Sequence, residues 1–353
     1  MVTGRILAFD IAINDTSGTV AFAGKARHDR HGGQGSLAIA EARLGFAPGS
    51  LQPRDLVREL ADAGISNVFA DLRAQGTVAW TATGLDPVDL TLALRNGAFY
   101  GPGTAGDNFS LAIRLTCLAS PRTERGQRLD GRLLVGRLEP IPLAADFAIV
   151  AGPAFEVASL DLSVAGGRLA ARPFRLDAGG RETALTFDVV DVDLGALLDL
   201  LGVNGLTGSG TLAGQIPMTV GPAGAAVAGG RLDARGPGTI AYDIADLPAA
   251  IGGREDIVGL VVRTLAGFRY DALSLTLDKA ATGPGKLTLR LEGANEAVLD
   301  GHPFIFNITL DADFDRLAAL AIEGFGTADA LLDWAARGGG RGGTFPSLPQ
   351  GEN

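Results

Sequence analysis

The sequence contains little cysteine, little lysine and few aromatic side chains. Its single cysteine, Cys117, excludes an internal disulfide framework and a zinc site built on cysteines. Because Cys117 lies in an alternating segment at 108–118, we interpret it as a packed thiol in a strand. The arginines are scattered and the formal net charge is -10, whereas a nucleic-acid-binding surface needs clustered basic residues. The composition therefore argues against a nucleic-acid partner.

Long apolar runs are missing as well. A helix that spans a bilayer needs about 20 predominantly apolar residues, and the best run here, 257–262, stops at Arg263. The segment 1–10 alternates like a strand and lacks the basic, apolar and cleavage regions of a signal peptide. We therefore find neither a membrane span nor a targeting signal in these residues.

Glycine and alternating aliphatic residues are abundant instead. The chain has 51 glycines among 353 residues, about twice the usual share, and they separate short segments in which apolar and polar residues alternate. Leu7, Phe9, Ile11 and Ile13 share one face of such a segment, and similar runs follow at 159–164, 184–190, 273–278, 287–292 and 304–311. This pattern is typical of half-buried antiparallel strands. It predicts an all-β protein with about 16 to 18 strands.

A few segments have helical spacing. We predict a short helix at 53–64, a helical turn at 194–201, the longest helix at 253–267 and a final turn at 313–320. The tail, 337–353, is rich in glycine and proline, and we expect it to be disordered.

No segment carries a motif for catalysis or cofactor binding. The letters at 208–213 match the G-x-G-x-x-A dinucleotide fingerprint, but that fingerprint requires a strand before it and a helix beginning within it. Here a helical turn precedes the glycines and a strand follows them. The sequence has no nucleophile elbow, phosphate-binding loop or zinc-protease motif either. We expect a protein that is not an enzyme and holds no cofactor.

Two groups of side chains could bind a metal, and both are interpreted otherwise. The acidic cluster at 188–193 lacks the glycine and glutamate that a calcium loop needs, so we interpret it as a solvated strand end. His28 and His31 are placed in a polar turn at 27–35, which is a poor cage for an ion. We therefore expect no metal site.

From residue 197 onward, a series of motifs resembles the AsmA-like superfamily. The motifs are GLTGSG at 205–210, QIP at 215–217, GPGTIAY at 236–242, FRYDALSL at 268–275, KLTLRLEGAN at 286–295, GHP at 301–303 and Asn307. In this order they are similar to the C-terminal region of the YdbH-like branch of the superfamily, over about 120 residues. The chain departs from the family at Glu296, where proline is usual. It also lacks the N-terminal membrane helix of such proteins, which indicates a C-terminal piece or a split reading frame.

The resemblance implies a role in the envelope of Gram-negative bacteria. It implies phospholipid transport through the periplasm along a β-groove, in a parent protein anchored in the inner membrane. It also implies a small outer-membrane lipoprotein as partner near the C-terminal end. The family has carried a dicarboxylate-transport label, but these residues offer no carboxylate site.

Together these observations predict an elongated, twisted and curled antiparallel sheet that forms a hydrophobic groove for acyl chains. We divide it into a segment 1–140, a YdbH-like segment 141–336 and the tail. The predicted lipid-contacting residues are Leu160, Leu162, Val164, Leu273, Leu275, Leu277, Leu287, Leu289, Leu291, Phe304, Phe306 and Ile308. The alternative is a structural β-sandwich of the envelope with a closed core and no lipid. The helix predicted at 253–267 distinguishes the two, because inside the sheet it would plug the groove.

Overall fold

A computed structural model describes residues 5–56, 67–101, 104–118, 120–134, 139–150, 154–177, 181–200, 205–221, 223–242 and 257–312. The chain divides into two compact units. Unit 1 comprises Met1–Leu160, Pro173–Arg181 and Leu317–Asn353, and unit 2 comprises Asp161–Arg172 and Glu182–Arg316. The division predicted near residue 140 stays a prediction.

The described residues are nearly all β, which confirms the predicted fold class. The strands are β1 (Ile6–Asn14), β2 (Val20–Asp29), β3 (Gln34–Phe46), β4 (Phe69–Thr81), β5 (Gly84–Gly101), β6 (Thr104–Cys117), β7 (Arg122–Thr123), β8 (Gln127–Leu134), β9 (Ile141–Val150), β10 (Ala154–Val164), β11 (Gly167–Ala171), β12 (Phe174–Asp177), β13 (Thr183–Asp193), β14 (Leu206–Ser209), β15 (Thr211–Gly221), β16 (Gly224–Ala234), β17 (Gly238–Tyr242), β18 (Phe268–Lys279), β19 (Gly285–Ala294) and β20 (Phe304–Ala312). These are slightly more strands than predicted. The alternating runs at 159–164, 184–190, 273–278, 287–292 and 304–311, and the run from Leu7 to Ile13, all lie in strands.

Three α-helices and a single 3₁₀ turn are described. They are α1 (Pro53–Leu56), α2 (Leu194–Leu200), α3 (Ile257–Leu265) and the 3₁₀ turn Leu299–Gly301. The helix predicted at 194–201 is confirmed, and so are the described parts of the helices predicted at 53–64 and 253–267. The turn predicted at 313–320 and the tail at 337–353 lie outside the described residues.

Unit 1 is built on an antiparallel meander. Each strand from β1 to β6 pairs with the next along the chain, and β6 then pairs with β7 and β8 before β8 pairs with β9. Short turns join most of these neighbours, which keeps loop-closure entropy low, whereas a longer connection that contains α1 joins β3 to β4. The first turn is closed by Gly18, whose φ of 72° suits glycine, and the Asp15 N–H donates to the Val20 carbonyl.

Unit 2 pairs its strands less locally. β11 pairs with β13, β13 with β15, β15 with β16, β16 with β18, β18 with β19, and β19 with β20, while β14 pairs with β17 and β17 with β18. The segments that interrupt this ladder contain α2 and α3. The Gly208–Ala213 stretch that matches the dinucleotide fingerprint lies in β14 and β15, with Gly210 between them, so it has no helix to present to a phosphate.

Candidate functional site

The register of β1 to β6 places apolar side chains of unit 1 on one common face. Directly opposite residues share a face of a sheet, and one such row joins Ile13, Phe22, Ala42, Ala74, Leu92 and Ile113 across six strands. We call the whole set the apolar face. It consists of Leu7, Phe9, Ile11, Ile13, Phe22, Gly24, Ala26, His28, Leu37, Ile39, Ala42, Leu44, Leu72, Ala74, Gly76, Val78, Trp80, Val88, Leu90, Leu92, Leu94, Leu111, Ile113 and Leu115.

The opposite face of the same strands is polar and ion-paired. Arg43 forms a bidentate pair with Asp71, with its shorter bond at 2.8 Å, and Arg114 does the same with Asp89 at 2.7 Å. The Arg114 guanidinium holds the pKa of the Asp89 carboxyl below its usual range, chiefly through these hydrogen bonds. The sheet of unit 1 is therefore amphipathic, with a charged face toward water.

The apolar face of unit 1 is only partly buried. Phe9 keeps 52% and Ile13 keeps 54% of its side chain exposed, and only Val78, Val88, Leu90 and Leu115 form a buried cluster. The strongest contacts of β1 to β6 are with their hydrogen-bonded neighbours, and among the described elements no helix packs closely on them. Apolar patches of this kind mark interaction sites, because they lower their free energy when another apolar surface covers them.

Unit 2 has a similar apolar face that is already buried. Leu275 lies opposite Leu289, which lies opposite Ile308, and in the next row Leu273, Leu291 and Phe306 follow the same order. The exposed fraction of Leu275 is 2% and that of Leu289 is 0%. These leucines therefore lie in a hydrophobic core.

The two longer helices belong to this core. On α2, Leu194 and Leu198 are fully buried, and on α3 Leu265 packs against the same cluster. The buried Asn295 fixes the end of α3, because its Nδ2 donates to the carbonyls of Arg263 and Thr264 at 3.2 and 3.0 Å.

The predicted lipid-contacting residues thus fall into two groups. Leu273, Leu275, Leu287, Leu289 and Leu291 are buried in the core of unit 2. Leu160, Leu162, Val164, Leu277, Phe304, Phe306 and Ile308 are half-buried. Their contact with lipid stays a prediction.

The acidic residues at 188–193 have separate partners. Asp188 pairs with Arg172, Asp191 pairs with Arg235, and Asp193 accepts a hydrogen bond from the Ala196 N–H at the start of α2. The Arg172 guanidinium lowers the pKa of Asp188. This arrangement stabilises strands and a helix end, and it gathers no ligand set.

The histidine in β2 was placed wrongly by the sequence. His28 belongs to the strand, which runs to Asp29, and not to the turn that follows it. Its alternation with Ala26 and Gly24 puts it on the apolar face, where it contacts Trp80. The period-2 pattern contained this information, but the polar residues around it concealed the strand's end.

The comparison with known families agrees with the motifs. The family model for YdbH-like proteins, described as "Intermembrane phospholipid transport protein YdbH", matches residues 3–318. The chain belongs to this family. The match extends well upstream of the motifs that carry the resemblance in the sequence, so it includes the apolar face. No match was found among curated proteins or among solved structures.

Membership of the family gives the general role. The family is one of intermembrane lipid transport and not of enzymes, and it implies a location in the cell envelope. None of the described helices has the length and apolar character that crossing a membrane requires.

Proposed function

We propose that the apolar face of unit 1 shields the acyl chains of phospholipids as they move between the two membranes. The observation that carries this proposal is the partial exposure of a contiguous apolar surface whose reverse side is charged. Phe9 and Ile13 illustrate it, because both are more than half exposed although neither has a polar atom to hydrate.

The energetic need for such a surface is large. An acyl chain that leaves a membrane costs about 0.8 kcal/mol for each CH₂ exposed to water, so a sixteen-carbon chain costs about 12 kcal/mol. Covering it with aliphatic side chains offsets most of this cost without any covalent step. Aliphatic side chains dominate the face, and they hold a ligand by non-directional contact that allows it to slide.

The half-buried residues of the predicted set remain part of this proposal. Phe304, Phe306 and Ile308 would contact lipid on β20, Leu277 on β18, and Leu160, Leu162 and Val164 on β10. The five buried leucines of unit 2 would do so only if the groups that cover them moved. Their burial favours a second candidate role for unit 2, a closed structural core of the kind that the alternative interpretation expects.

Site-specific photocrosslinking tests the proposal. A photoreactive residue at Ile39, on the apolar face, should yield phospholipid adducts in Gram-negative cells, whereas one at Gln75, on the charged face, should not. A second probe at Phe306 reports on unit 2. Equal adduct yields at Ile39 and Gln75 would refute the apolar face as the lipid surface.

A matched pair of charge substitutions adds a control for folding. Phe9→Asp and Ala8→Asp change neighbouring exposed residues of β1 that point to opposite faces. Desolvating a carboxylate beneath an acyl chain costs several kcal/mol, so Phe9→Asp should abolish the adducts at Ile39. Ala8→Asp should leave them unchanged, and both proteins should keep their far-UV circular dichroism.

We also propose a strand partner for β20. This strand pairs with β19 on one side, and Ile305 is 59% exposed on it. An unpaired strand edge is a template for another strand, and the family resemblance implies a small outer-membrane lipoprotein there. Proline at Asn307 and proline at Ile308 remove backbone donors that point to opposite edges of β20, because neighbouring residues of a strand direct their N–H groups to opposite sides. One of the two variants should therefore weaken capture of the lipoprotein. Unchanged capture by both variants would rule out this edge. An inner-membrane anchor for the parent protein stays a prediction.

A further inference from the structure

One end of the apolar face carries a hydrogen-bonded pair of polar aromatic side chains. The Trp80 Nε1–H donates to the His28 Nδ1 at 3.2 Å, and the two rings stack with their centroids 6.1 Å apart. His28 lies one residue before the end of β2, and Trp80 lies one residue before the end of β4. The pair therefore marks the place where the apolar face meets the turns.

A glycine in the strand between them makes the pair geometrically feasible. Gly35 on β3 lies directly opposite both His28 and Trp80. A Cβ at this position would overlap the Trp80 ring and the Arg27 carbonyl. Because Gly35 has no side chain, the indole lies across β3 and reaches the imidazole.

The hydrogen bond decides which imidazole nitrogen remains available. An indole N–H is only a donor, so the His28 Nδ1 must be the acceptor, and a neutral ring then has its proton on Nε2. Within the described part of the chain, His28 Nε2 makes no hydrogen bond. His28 is also the one ionisable residue of the apolar face as defined above. The His28 Nε2–H is thus a directed donor at the edge of an otherwise apolar surface.

We propose that His28 Nε2–H binds a phosphate oxygen of the phospholipid headgroup, while Trp80 orients the imidazole and packs beside the glycerol. The inference rests on the proposed function, because it requires the acyl chains to lie on the neighbouring half-buried Ala26 and Leu37. Tryptophan suits this position, since its ring is apolar and its N–H is polar. The pair would hold the polar end of each lipid at the end of the apolar face that meets the turns, and it would leave the acyl chains mobile.

The test uses the Trp80 indole as a reporter in the full chain. The sequence has two tryptophans, so Trp334→Phe leaves one indole N–H signal in a ¹⁵N-correlated NMR spectrum. Three probes are titrated: dihexanoylphosphatidylglycerol below its micelle concentration, dihexanoylglycerol without phosphate, and glycerophosphoglycerol without acyl chains. His28→Leu removes the donor, His28→Gln keeps an N–H donor, and His31→Leu is the matched control in the adjacent turn. For the variants that lose the Trp80–His28 hydrogen bond, circular dichroism checks the fold, and binding is followed at the NMR signals of the acyl chains.

In the Trp334→Phe protein and in its His31→Leu variant, the phospholipid should bind more tightly than the diacylglycerol and shift the indole signal. His28→Leu should weaken phospholipid binding roughly tenfold, as expected for one hydrogen bond to a charged group, and leave diacylglycerol binding within about twofold. His28→Gln should restore most of the difference.

Three results would overturn the inference. An undiminished preference for phospholipid in His28→Leu would show that the imidazole does not contact phosphate. Equal weakening of both acyl probes would assign the pair a structural role only. Glycerophosphoglycerol that binds as tightly as the phospholipid would indicate a site for free phosphodiesters. Absence of binding by both acyl probes, in contrast, would refute the proposed function itself.

Discussion

Because the two units differ in burial, we expect the same truncation to destabilise unit 2 strongly and unit 1 only slightly. Leu289 in β19 and Ile13 in β1 are aliphatic residues with the same number of carbon atoms, and both lie in strands. The exposed fraction is 0% for Leu289 and 54% for Ile13. Truncating each to alanine removes three carbon atoms, so the environment chiefly sets the result.

The expected magnitudes follow from these environments. Leu289 lies between Leu275 and Ile308 in its row, so Leu289→Ala leaves a cavity and should cost about 3 kcal/mol, within the 2–5 kcal/mol seen for buried leucines. Full burial of an isoleucine is worth about 1.5–3 kcal/mol, and Ile13 is less than half buried. Ile13→Ala should therefore cost less than about 1 kcal/mol.

Hydrogen-exchange mass spectrometry at increasing urea measures both effects in the intact chain. Peptides from β18 to β20 report on unit 2 and peptides from β1 to β3 report on unit 1, so the measurement does not require a single two-state transition. Leu289→Ala should reduce the opening free energy of the first set, and Ile13→Ala should hardly change the second. Equal small losses would show that the leucines of β19 are not core residues.

Three further predictions concern polar groups that stabilise the sheet. Arg132→Met should lower stability by about 3 kcal/mol in urea denaturation, because it leaves the carboxylate of Asp107, which is 1% exposed, without its partner at 2.7 Å. Asn295→Ala should cost about 1–2 kcal/mol and increase hydrogen exchange in α3, whose last carbonyls it leaves unpaired. Desolvation, with a smaller contribution from the charge of Asp193, raises the pKa of Tyr270. Its neutral phenol therefore contributes stability that is complete below the unfolded-state pKa of about 10 and is lost as the pH rises through the higher folded-state pKa. Tyr270→Phe should lower stability at pH 8 and make it less dependent on pH above 10.

The fold class was predictable from the sequence because strand periodicity is local. Alternation at 273–278 and 287–292 places Leu275 and Leu289 on the same face as soon as the two strands pair, as the structure has them. Glycines at positive φ, such as Gly18 and Gly33, then close turns that the composition indicates. The helix at 194–201 was predictable for the same reason, since its leucines repeat at helical spacing.

Which apolar face is open could not be read from the same pattern. Leu7, Phe9, Ile11 and Ile13 alternate as regularly as Leu287, Leu289 and Leu291, yet Phe9 is exposed and Leu289 is buried. The difference arises from long-range packing: the cluster that contains Leu289 also contains residues of α2, which are about ninety positions away in the chain. Most of the lipid-contacting residues predicted from the sequence therefore lie in unit 2, where the residues repeat most regularly, and the face of unit 1 is not among them.

A closed core in unit 2 and a partly open apolar face in unit 1 are compatible features of a lipid carrier. Ordering each residue costs about 1–2 kcal/mol of backbone entropy, and buried apolar area is the main term that offsets it. A sheet whose whole apolar face stayed open would lack that area, whereas unit 2 obtains it by covering its leucines with its own helices. Unit 1 gains part of it from the cluster around Val78 and Leu90, and a bound acyl chain would supply more. Because a ligand that binds only the folded state stabilises it, lipid should raise the stability of unit 1 while it is carried. Under the proposed function, the same incomplete burial that weakens the empty sheet would provide the affinity for the lipid.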